Sequence, residues 1–222
     1  MMIRVNVENN YQIETSLYEE GYNNIAGTDE VGRGPMAGPV VACAVVFEKG
    51  HYIEGVTDSK KISDKKRRLL YNKILNEAKA VGVAFVSERV IDKINIYEAS
   101  RKAMERALFK IKTKIKIDYV LTDAMPLNID IPQMNIIKGD ENSFLIGCAS
   151  IVAKVVRDDY MIRQASKYPQ YGFEKHKGYV TKAHREAIQK YGVLPIHRKT
   201  YKPVMDLSLI HISEPTRRRG IS

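Results

Sequence analysis

The sequence predicts an α/β protein in which helices flank a central mixed β-sheet and the C-terminal part is helical. Apolar runs that suit strands come first, strand and helix patterns then alternate, and helical patterns occupy the end of the chain. Such alternation favours a sheet with helices on both faces. With 222 residues, 44% of them hydrophobic and 28% charged, the chain can form a sizeable core, which excludes disordered and membrane proteins.

The first two predicted strands flank a turn rich in glycine and proline. Ile25–Glu30 is a short apolar run that ends in two acids, and Val40–Phe47 is apolar enough to be buried on both faces. Between them, residues 32–38 include glycines and a proline that neither a helix nor a central strand tolerates. A hairpin is expected at 49–55, and further strands are predicted at 81–87, 119–122 and 134–137.

Helices are predicted where apolar residues recur at helical spacing behind a capping residue. Ser63 and Asp64 begin one helix that continues to about Ala80, and Asn95 begins another that continues to about Lys112. The other predicted helices are 16–22, 88–94, 142–167 and 181–190, with a loop at 169–179. Gly192 stands where a C-terminal cap is expected. No second core is apparent.

The net charge indicates the class of binding partner, and the cysteines indicate the cellular compartment. The formal net charge of +10 favours a polyanionic partner, most simply nucleic acid, although an ordinary basic protein would also have it. Cys43 and Cys148 lie in apolar segments, as reduced core thiols do. The start of the chain lacks the pattern of a signal peptide, and the longest apolar run is too short to cross a bilayer. A cytoplasmic location is therefore expected.

The last sixteen residues are treated separately. From Leu207 onwards the sequence resembles the translation of a sequencing-library adapter read through into the reading frame. We therefore expect one catalytic domain over residues 1–206 and a non-native tail over residues 207–222.

Four acids lie at predicted strand ends or in the adjoining loops: Asp29, Glu30, Asp123 and Asp140. A single strand-end Asp often only caps a helix or forms a turn. Neighbouring strand residues point to opposite faces, so Asp29 and Glu30 cannot both project directly into one pocket. Four carboxylates can nevertheless bind two Mg²⁺ or Mn²⁺ ions, an arrangement that supports phosphodiester hydrolysis.

Several motifs, in order and spacing, resemble ribonuclease HII, the type 2 ribonuclease H family. They are Asp-Glu-Val-Gly-Arg-Gly-Pro-Met-Ala-Gly-Pro-Val-Val at 29–41, Asp-Ser-Lys-Lys at 58–61, Thr-Asp at 122–123, Lys-Gly-Asp at 138–140, Ala-Ser-Ile-Val-Ala-Lys-Val-Val-Arg-Asp at 149–158, His-Lys-Gly-Tyr at 176–179 and Leu-Pro-Ile-His-Arg at 194–198. The resemblance covers about residues 25–204. Val31 departs from it, because alanine is common there.

The resemblance implies a ribonuclease H-like fold and assigns roles to individual residues. Asp29, Glu30, Asp123 and Asp140 would bind the metal ions, with two Mg²⁺ or Mn²⁺ ions in the reactive complex. Gly32, Arg33 and Gly34 would recognise the ribonucleotide 2′-hydroxyl and the adjacent phosphate, mainly through backbone groups. Tyr179 would stack on the sugar of the neighbouring deoxynucleotide, and Lys60 would contact a phosphate.

Each of these residues also has a plainer interpretation. Gly32 and Gly34 could only form a turn, Arg33 and Lys60 could be surface charges, and Tyr179 could anchor a loop. Lys154, Arg157 and Arg163 could follow phosphates along the predicted helix or simply face solvent. His176, His184 and His197 lack zinc-site spacing, and His197 is expected to be structural.

The function expected from the resemblance is that of a metal-dependent endoribonuclease. It would cut on the 5′ side of ribonucleotides in RNA–DNA hybrids and of single ribonucleotides in duplex DNA, leaving 3′-hydroxyl and 5′-phosphate ends. Two alternatives are ribonuclease HIII-like specificity for ribonucleotide runs and a non-catalytic nucleic-acid-binding protein. A monomer is expected. A sliding-clamp contact would lie in a C-terminal peptide that the tail obscures.

Overall fold

The computed structural model describes residues 9–213, and the surroundings of side chains from residue 10 to residue 208. It divides them into two compact units. The first comprises residues 9–31, 41–85 and 100–156, and the second comprises residues 32–40, 86–99 and 157–213. The strands are β1 Ile25–Val31, β2 Val40–Val46, β3 Ala80–Val86, β4 Tyr119–Asp123 and β5 Gln133–Ile136.

Helices make up much of the remainder. They are α1 Gln12–Glu19, α2 Asp64–Glu77, α3 Glu88–Ile94, α4 Ile96–Lys112, α5 Gly139–Asn142, α6 Phe144–Lys167, α7 Phe173–His176, α8 Lys182–Tyr191 and α9 Lys202–Ser213, with short 3-10 helices at Asn9–Tyr11 and Pro169–Tyr171. None of the helices within residues 9–213 combines the length and apolar content that crossing a membrane requires.

The sheet is mixed, with the strand order β3-β2-β1-β4-β5. Strand β1 pairs antiparallel with β2 and parallel with β4, and β4 pairs parallel with β5. The predicted mixed sheet flanked by helices is therefore confirmed. All of β2 is buried, as its apolar sequence predicts.

Helices pack on both faces of the sheet in the first unit. Ile25, Cys43 and Leu121 belong to one apolar cluster with residues of α1, α2 and α6. On β3, Val81 and Val83 pack against that cluster, whereas Gly82 lies against the main chain of α4. Because successive strand residues point to opposite faces, α4 covers the other side of the sheet.

Several predicted boundaries were wrong, and one predicted element is missing. The first helix is 12–19 rather than 16–22, and no strand pair forms at 49–55, where the chain makes turns. The predicted helix 142–167 is divided, because Ser143 has an extended backbone between α5 and α6. The expected loop 169–179 contains a 3-10 turn and α7.

The second unit has an apolar cluster of its own, which the sequence did not predict. It brings Met36 and Met161 together with Tyr171, Phe173 and Ile188. The expected boundary at 206/207 falls within α9, where Leu207 is buried in this cluster. Residues 214–222 of the expected tail lie outside the described residues, and the division into a domain and a tail stays a prediction.

At Gly27 the sheet packs directly against the main chain of α6, which gives a stability test. A Cβ atom there would overlap the main-chain carbon of Leu145. We expect Gly27→Ala to lower the free energy of unfolding by about 3 kcal/mol, because main-chain atoms cannot move aside. Gly50→Ala is the control: it meets no atom within 4 Å and costs only the strain of φ +80°, about 1 kcal/mol. Urea unfolding of both variants measures the difference, and equal losses would contradict the prediction.

Candidate active site

Strand pairing brings two of the predicted acids to one edge of the sheet. In the parallel pair of β1 and β4, Thr28 lies beside Thr122, so Asp29 and Asp123 follow on adjacent strands. Both are at odd positions of strands whose odd residues share a face, because Gly27 is the partner of Leu121. Their side chains therefore lie on the face that α6 covers.

Asp29 is buried and surrounded by negative charge. It is 5% exposed, and its Oδ1 accepts a hydrogen bond of 2.7 Å from the main-chain N–H of Glu30. Burial, followed by repulsion from Glu30 and Asp123, raises the pKa of Asp29 well above its usual value. A hydrogen bond from Ser150 offsets this only in part. A cation at this place would remove the cost.

Asp140 reaches the same group from α5. It is 7% exposed, and burial together with Asp58 and Asp123 raises its pKa to about 6. The preceding Gly139 donates its N–H to Asp123 Oδ1 at 2.8 Å, which fixes the loop against β4. The sequence motifs gave no role to Asp58, which is buried and helps to raise the pKa of Asp140. Asp58 begins the motif at 58–61, and this position could have indicated its role in advance.

Strand alternation directs Glu30 to the other face of β1 from Asp29, although its charge still raises the pKa of Asp29. It is the next residue after Asp29 on β1 and is only half-buried. Across residues 9–213, no three His, Cys, Asp or Glu side chains are arranged to bind one metal ion together. The carboxylate set suits Mg²⁺ or Mn²⁺ in chemistry and charge, but these side chains would have to turn to share an ion.

A buried acid that no sequence motif indicated supports the loop that carries Asp140. Glu14 on α1 is fully buried, and its Oε1 accepts hydrogen bonds from Ser143 Oγ at 2.6 Å and from Leu145 N–H at 3.1 Å. Ser143 N–H in turn donates to the Gly139 carbonyl at 2.8 Å. These bonds fix the junction of α5 and α6 that carries Asp140.

Lys60 lies near the acids but remains exposed. Its Nζ is 3.9 Å from both Asp58 Oδ1 and Asp140 Oδ2. Although partial burial alone lowers the pKa of Lys60, the two carboxylates outweigh that effect and raise it. The lysine therefore stays charged and movable, as a phosphate contact would need, but that role stays a prediction.

In the second unit, two buried arginines hold the glycine-rich turn. Arg157 donates to the carbonyls of Ala37, Pro39 and Lys177. Arg198 donates to the carbonyls of Gly32, Arg33 and Gly38. Both guanidinium groups are fully buried, and burial plus their mutual repulsion lowers the pKa of Arg157 to about 10. The suggestion that Arg157 follows phosphates or faces solvent is therefore wrong.

The two glycines of the turn differ in what they require. Gly32 has φ +100°, and a Cβ atom there would overlap Arg157 Nε. The backbone and its packing therefore require glycine at this position. At Gly34 a Cβ atom would meet only the Tyr179 ring, 3.7 Å away. Tyr179 is 38% exposed, with the Arg157 guanidinium 5.8 Å from its ring centre. The ring is thus held in place with part of its surface free.

A mixed sheet with acids at the ends of its adjacent parallel strands, flanked by helices, is a ribonuclease H-like fold. The sequence model described as ribonuclease HII matches residues 26–204. Ribonuclease HII of Acholeplasma laidlawii (strain PG-8A) is 54% identical over 198 residues, which are 89% of this chain and 96% of that protein. The chain belongs to the ribonuclease HII family and is therefore a ribonuclease H endonuclease, a hydrolase, as the motifs predict.

Two solved structures add to this likeness. The ribonuclease HII in the PCNA:RNase HII complex from Archaeoglobus fulgidus has a TM-score of 0.69 and 25% identity, covering 82% of this chain and 96% of that one. Bst-RNase HIII in complex with Mn²⁺ has a TM-score of 0.66 at 16% identity, covering 87% of this chain and 71% of that one, which shows the shared fold. Enzymes of the ribonuclease H family are metal-dependent and act on RNA–DNA substrates.

The crowding of acids around Asp29 predicts a stability gain when its charge is removed. We expect Asp29→Asn to raise the free energy of unfolding by about 1–2 kcal/mol at pH 7 without metal, because the amide keeps the acceptor oxygen but not the charge. Urea unfolding in EDTA measures this. The exposed Glu54→Gln is the control. Added Mg²⁺ should stabilise the original protein more than the variant, and a destabilised variant in EDTA would contradict the prediction.

Proposed function

We propose that this enzyme hydrolyses the phosphodiester on the 5′ side of a ribonucleotide, leaving 3′-hydroxyl and 5′-phosphate ends. Its substrates would be RNA–DNA hybrids and duplex DNA that contains single ribonucleotides. The observation that carries the proposal is the crowding of Asp29, Asp123 and Asp140 at one edge of the sheet, with raised pKa values at Asp29 and Asp140. A fold bears such repulsion where a cation takes part in the function.

We assign metal binding to Asp29, Glu30, Asp123 and Asp140, with two Mg²⁺ or Mn²⁺ ions in the reactive complex. When bound, the ions supply an activated water and stabilise charge on the leaving oxygen. The protein's own contribution is to hold the carboxylates. The N–H group of Gly139 fixes one oxygen of Asp123, and the N–H group of Glu30 together with Ser150 holds Asp29.

Recognition of the ribonucleotide would fall to Gly32, Arg33 and Gly34. The 2′-hydroxyl is the group that distinguishes RNA from DNA, and reading it with main-chain groups requires close approach. Nothing within the second unit's described residues requires glycine at position 34. Because the fold does not need glycine at position 34, the absence of a side chain there supports close approach of a substrate to the main chain. Arg33 offers a fork that matches a phosphate, Tyr179 offers a flat ring for a sugar, and Lys60 offers a charge for a phosphate.

The proposed biological role is ribonucleotide excision and primer removal during DNA repair and replication, in the cytoplasm. The net charge of +10 and the two free buried cysteines support this proposal. A monomer is proposed. The Archaeoglobus relative forms a complex with PCNA, and a sliding-clamp contact is proposed for the C-terminal end of this chain.

One cleavage assay tests the proposed substrate directly. A labelled DNA duplex with one ribonucleotide is incubated with Mg²⁺ or Mn²⁺, beside a four-ribonucleotide duplex and an EDTA control. We expect a cut 5′ of the single ribonucleotide and no cut in EDTA. Cutting of the four-ribonucleotide duplex alone would favour ribonuclease HIII-like specificity. Binding without any cut, repeated with a protein that ends at Asp206, would favour a non-catalytic nucleic-acid-binding protein.

Asp123→Asn should separate catalysis from binding. The amide oxygen can still accept the N–H of Gly139, so the loop keeps its position while one metal-binding charge is lost. We expect kcat to fall by about a thousandfold or more, because the removed charge serves the metal-assisted step, with duplex affinity within about threefold. Gel-shift and single-turnover cleavage measure the two quantities, and Glu54→Gln serves as the control. Retained cleavage would refute the assignment.

Gly34→Ala tests close approach without disturbing the fold. The added methyl group meets only the Tyr179 ring at an ordinary distance, so thermal unfolding should not change. We expect kcat/KM on the single-ribonucleotide duplex to fall about tenfold or more, because the methyl group holds the sugar away. Gly32→Ala, which overlaps Arg157, should instead lower stability as well. Unchanged cleavage by Gly34→Ala would contradict the role of this glycine.

A further inference from the structure

Three histidines of the second unit, for which the sequence predicted no joint role, form one buried cluster. The rings of His176 and His184 stack with centres 4.4 Å apart, and those of His184 and His197 lie 5.2 Å apart. His184 and His197 are almost completely buried. Phe173 packs edge-on against His184. Burial of this kind requires each ring nitrogen to have a suitable partner.

The hydrogen bonds fix which nitrogen of each ring carries the proton. His184 Nδ1 lies 2.9 Å from the Tyr179 carbonyl, which can only accept, so this nitrogen is the donor. The N–H of Leu194 donates to His197 Nδ1 at 2.8 Å, so that nitrogen is an acceptor. His197 Nε2 therefore donates to His184 Nε2 across 3.0 Å. Every bond is satisfied when both rings are neutral.

The bonds run in one direction, from Leu194 N–H through His197 and His184 to the Tyr179 carbonyl. We call this series the histidine relay. His176 lies beside it and accepts from Gly178 N–H at 3.2 Å, so its Nε2 donates to the Tyr171 carbonyl at 2.8 Å. A second proton on His184 would place its Nε2–H opposite the Nε2–H of His197, and a second proton on His197 would place its Nδ1–H opposite the N–H of Leu194. Either proton would therefore replace a hydrogen bond with two donors that face each other.

Burial of the cluster favours neutral rings. Burial is the main cause that lowers the pKa of His184 to about 4 and of His197 to about 3, and burial also lowers the pKa of His176. The charged groups that act on the cluster are Glu174 and Lys177, both beside His176 and of opposite sign. The relay is therefore neutral throughout the pH range of nuclease assays.

The relay also connects the two sides of the glycine-rich turn. Met36 N–H donates to the Gly178 carbonyl, next to Tyr179, and Met36 O accepts from Arg198 N–H, each at 2.8 Å. On the far side, Ala37 bridges to His197, and Gly38 N–H donates to the Ile196 carbonyl. Tyr179 and the segment 194–198 are thus tied to the turn separately, and the relay ties them to each other.

We infer that His184 and His197 are positioning residues that set the main chain of Tyr179 relative to Gly32–Gly34, and so determine how well the enzyme discriminates a DNA–RNA junction. This inference rests on the proposed function of Tyr179 and of the turn. Neither histidine touches substrate: each acts through the Tyr179 carbonyl. Loss of the relay should therefore affect cleavage at a junction more than cleavage within a continuous hybrid, where no deoxynucleotide sugar adjoins the cut.

His184→Leu and His184→Asn form a matched pair for the test. Leucine removes the donor to Tyr179, whereas the asparagine amide can replace Nδ1–H. We expect His184→Leu to lower kcat/KM on a single-ribonucleotide duplex by about tenfold and on an RNA–DNA hybrid by less than about threefold, because a small misplacement affects the step that depends on geometry. His184→Asn should restore the ratio to within about threefold. His51→Gln, in the first unit, is the control for loss of a histidine.

A double-mutant cycle shows whether the effect passes through Tyr179. In a Tyr179→Ala background, His184→Leu should change the ratio of the two substrates no further, because the group that it positions is absent. An equal loss on both substrates, or an undiminished effect in the Tyr179→Ala background, would overturn the inference and leave the relay a purely structural feature.

If His184→Leu does not fold, nitrogen NMR of the unmodified protein at pH 7 provides a separate test, because it reports which ring nitrogens of His184 and His197 carry a proton. The expected pattern is a protonated Nδ1 and bare Nε2 in His184, and the reverse in His197. Charged rings or the opposite tautomers would refute the relay. If the unmodified protein cuts neither duplex, the proposed function fails and the role in junction reading fails with it. The NMR pattern still reports on the relay in that case.

Discussion

Repulsion between buried carboxylates is the constraint on which the first unit depends. The parallel pairing of β1 with β4 leaves Asp29 and Asp123 no means of separating, because the register fixes them on adjacent strands and on one face. A fold selected for stability alone would place apolar residues there. Instead, main-chain N–H groups hold the carboxylates, and Gly27 lets α6 approach closely enough to cover them. The cost of this crowding is what the proposed metal binding would offset.

In the second unit the buried charges are positive, and main-chain carbonyl groups stabilise them. Arg157 and Arg198 bind main-chain carbonyls of the glycine-rich turn, so the peptide dipoles of that turn are fixed. In a trans peptide the N–H points away from its C=O. With the carbonyls of Gly32 and Arg33 directed at Arg198, the N–H groups of Arg33 and Gly34 are directed away from it. Two adjacent donors held this way, near buried cations, suit an anionic or hydroxyl ligand.

Local patterns predicted the elements of the fold, whereas the supporting contacts needed tertiary information. The apolar run of β2 and the caps at Ser63 and Asn95 are local signals, and all three were found. The break at Ser143 depends on Glu14, 129 residues away, so helical periodicity could not show it. Burial of Arg157 was missed for the same reason: its carbonyl partners at 37 and 39 are remote in sequence. The four acids could be proposed from the sequence because their motifs are local, and their role stays a prediction.

Glu14 is a further buried carboxyl group, and it stabilises the junction of α5 and α6 next to the acids at the edge of the sheet. Hydrogen bonds from Ser143 and Leu145 lower the pKa of Glu14, but burial outweighs them and raises it. Both donors meet at one oxygen, Oε1: the side chain of Ser143 and the main-chain N–H of Leu145. A carboxyl oxygen accepts these two bonds whether or not the group is ionised. The junction of α5 and α6 is therefore held in either state of Glu14, which an apolar residue at this position could not do.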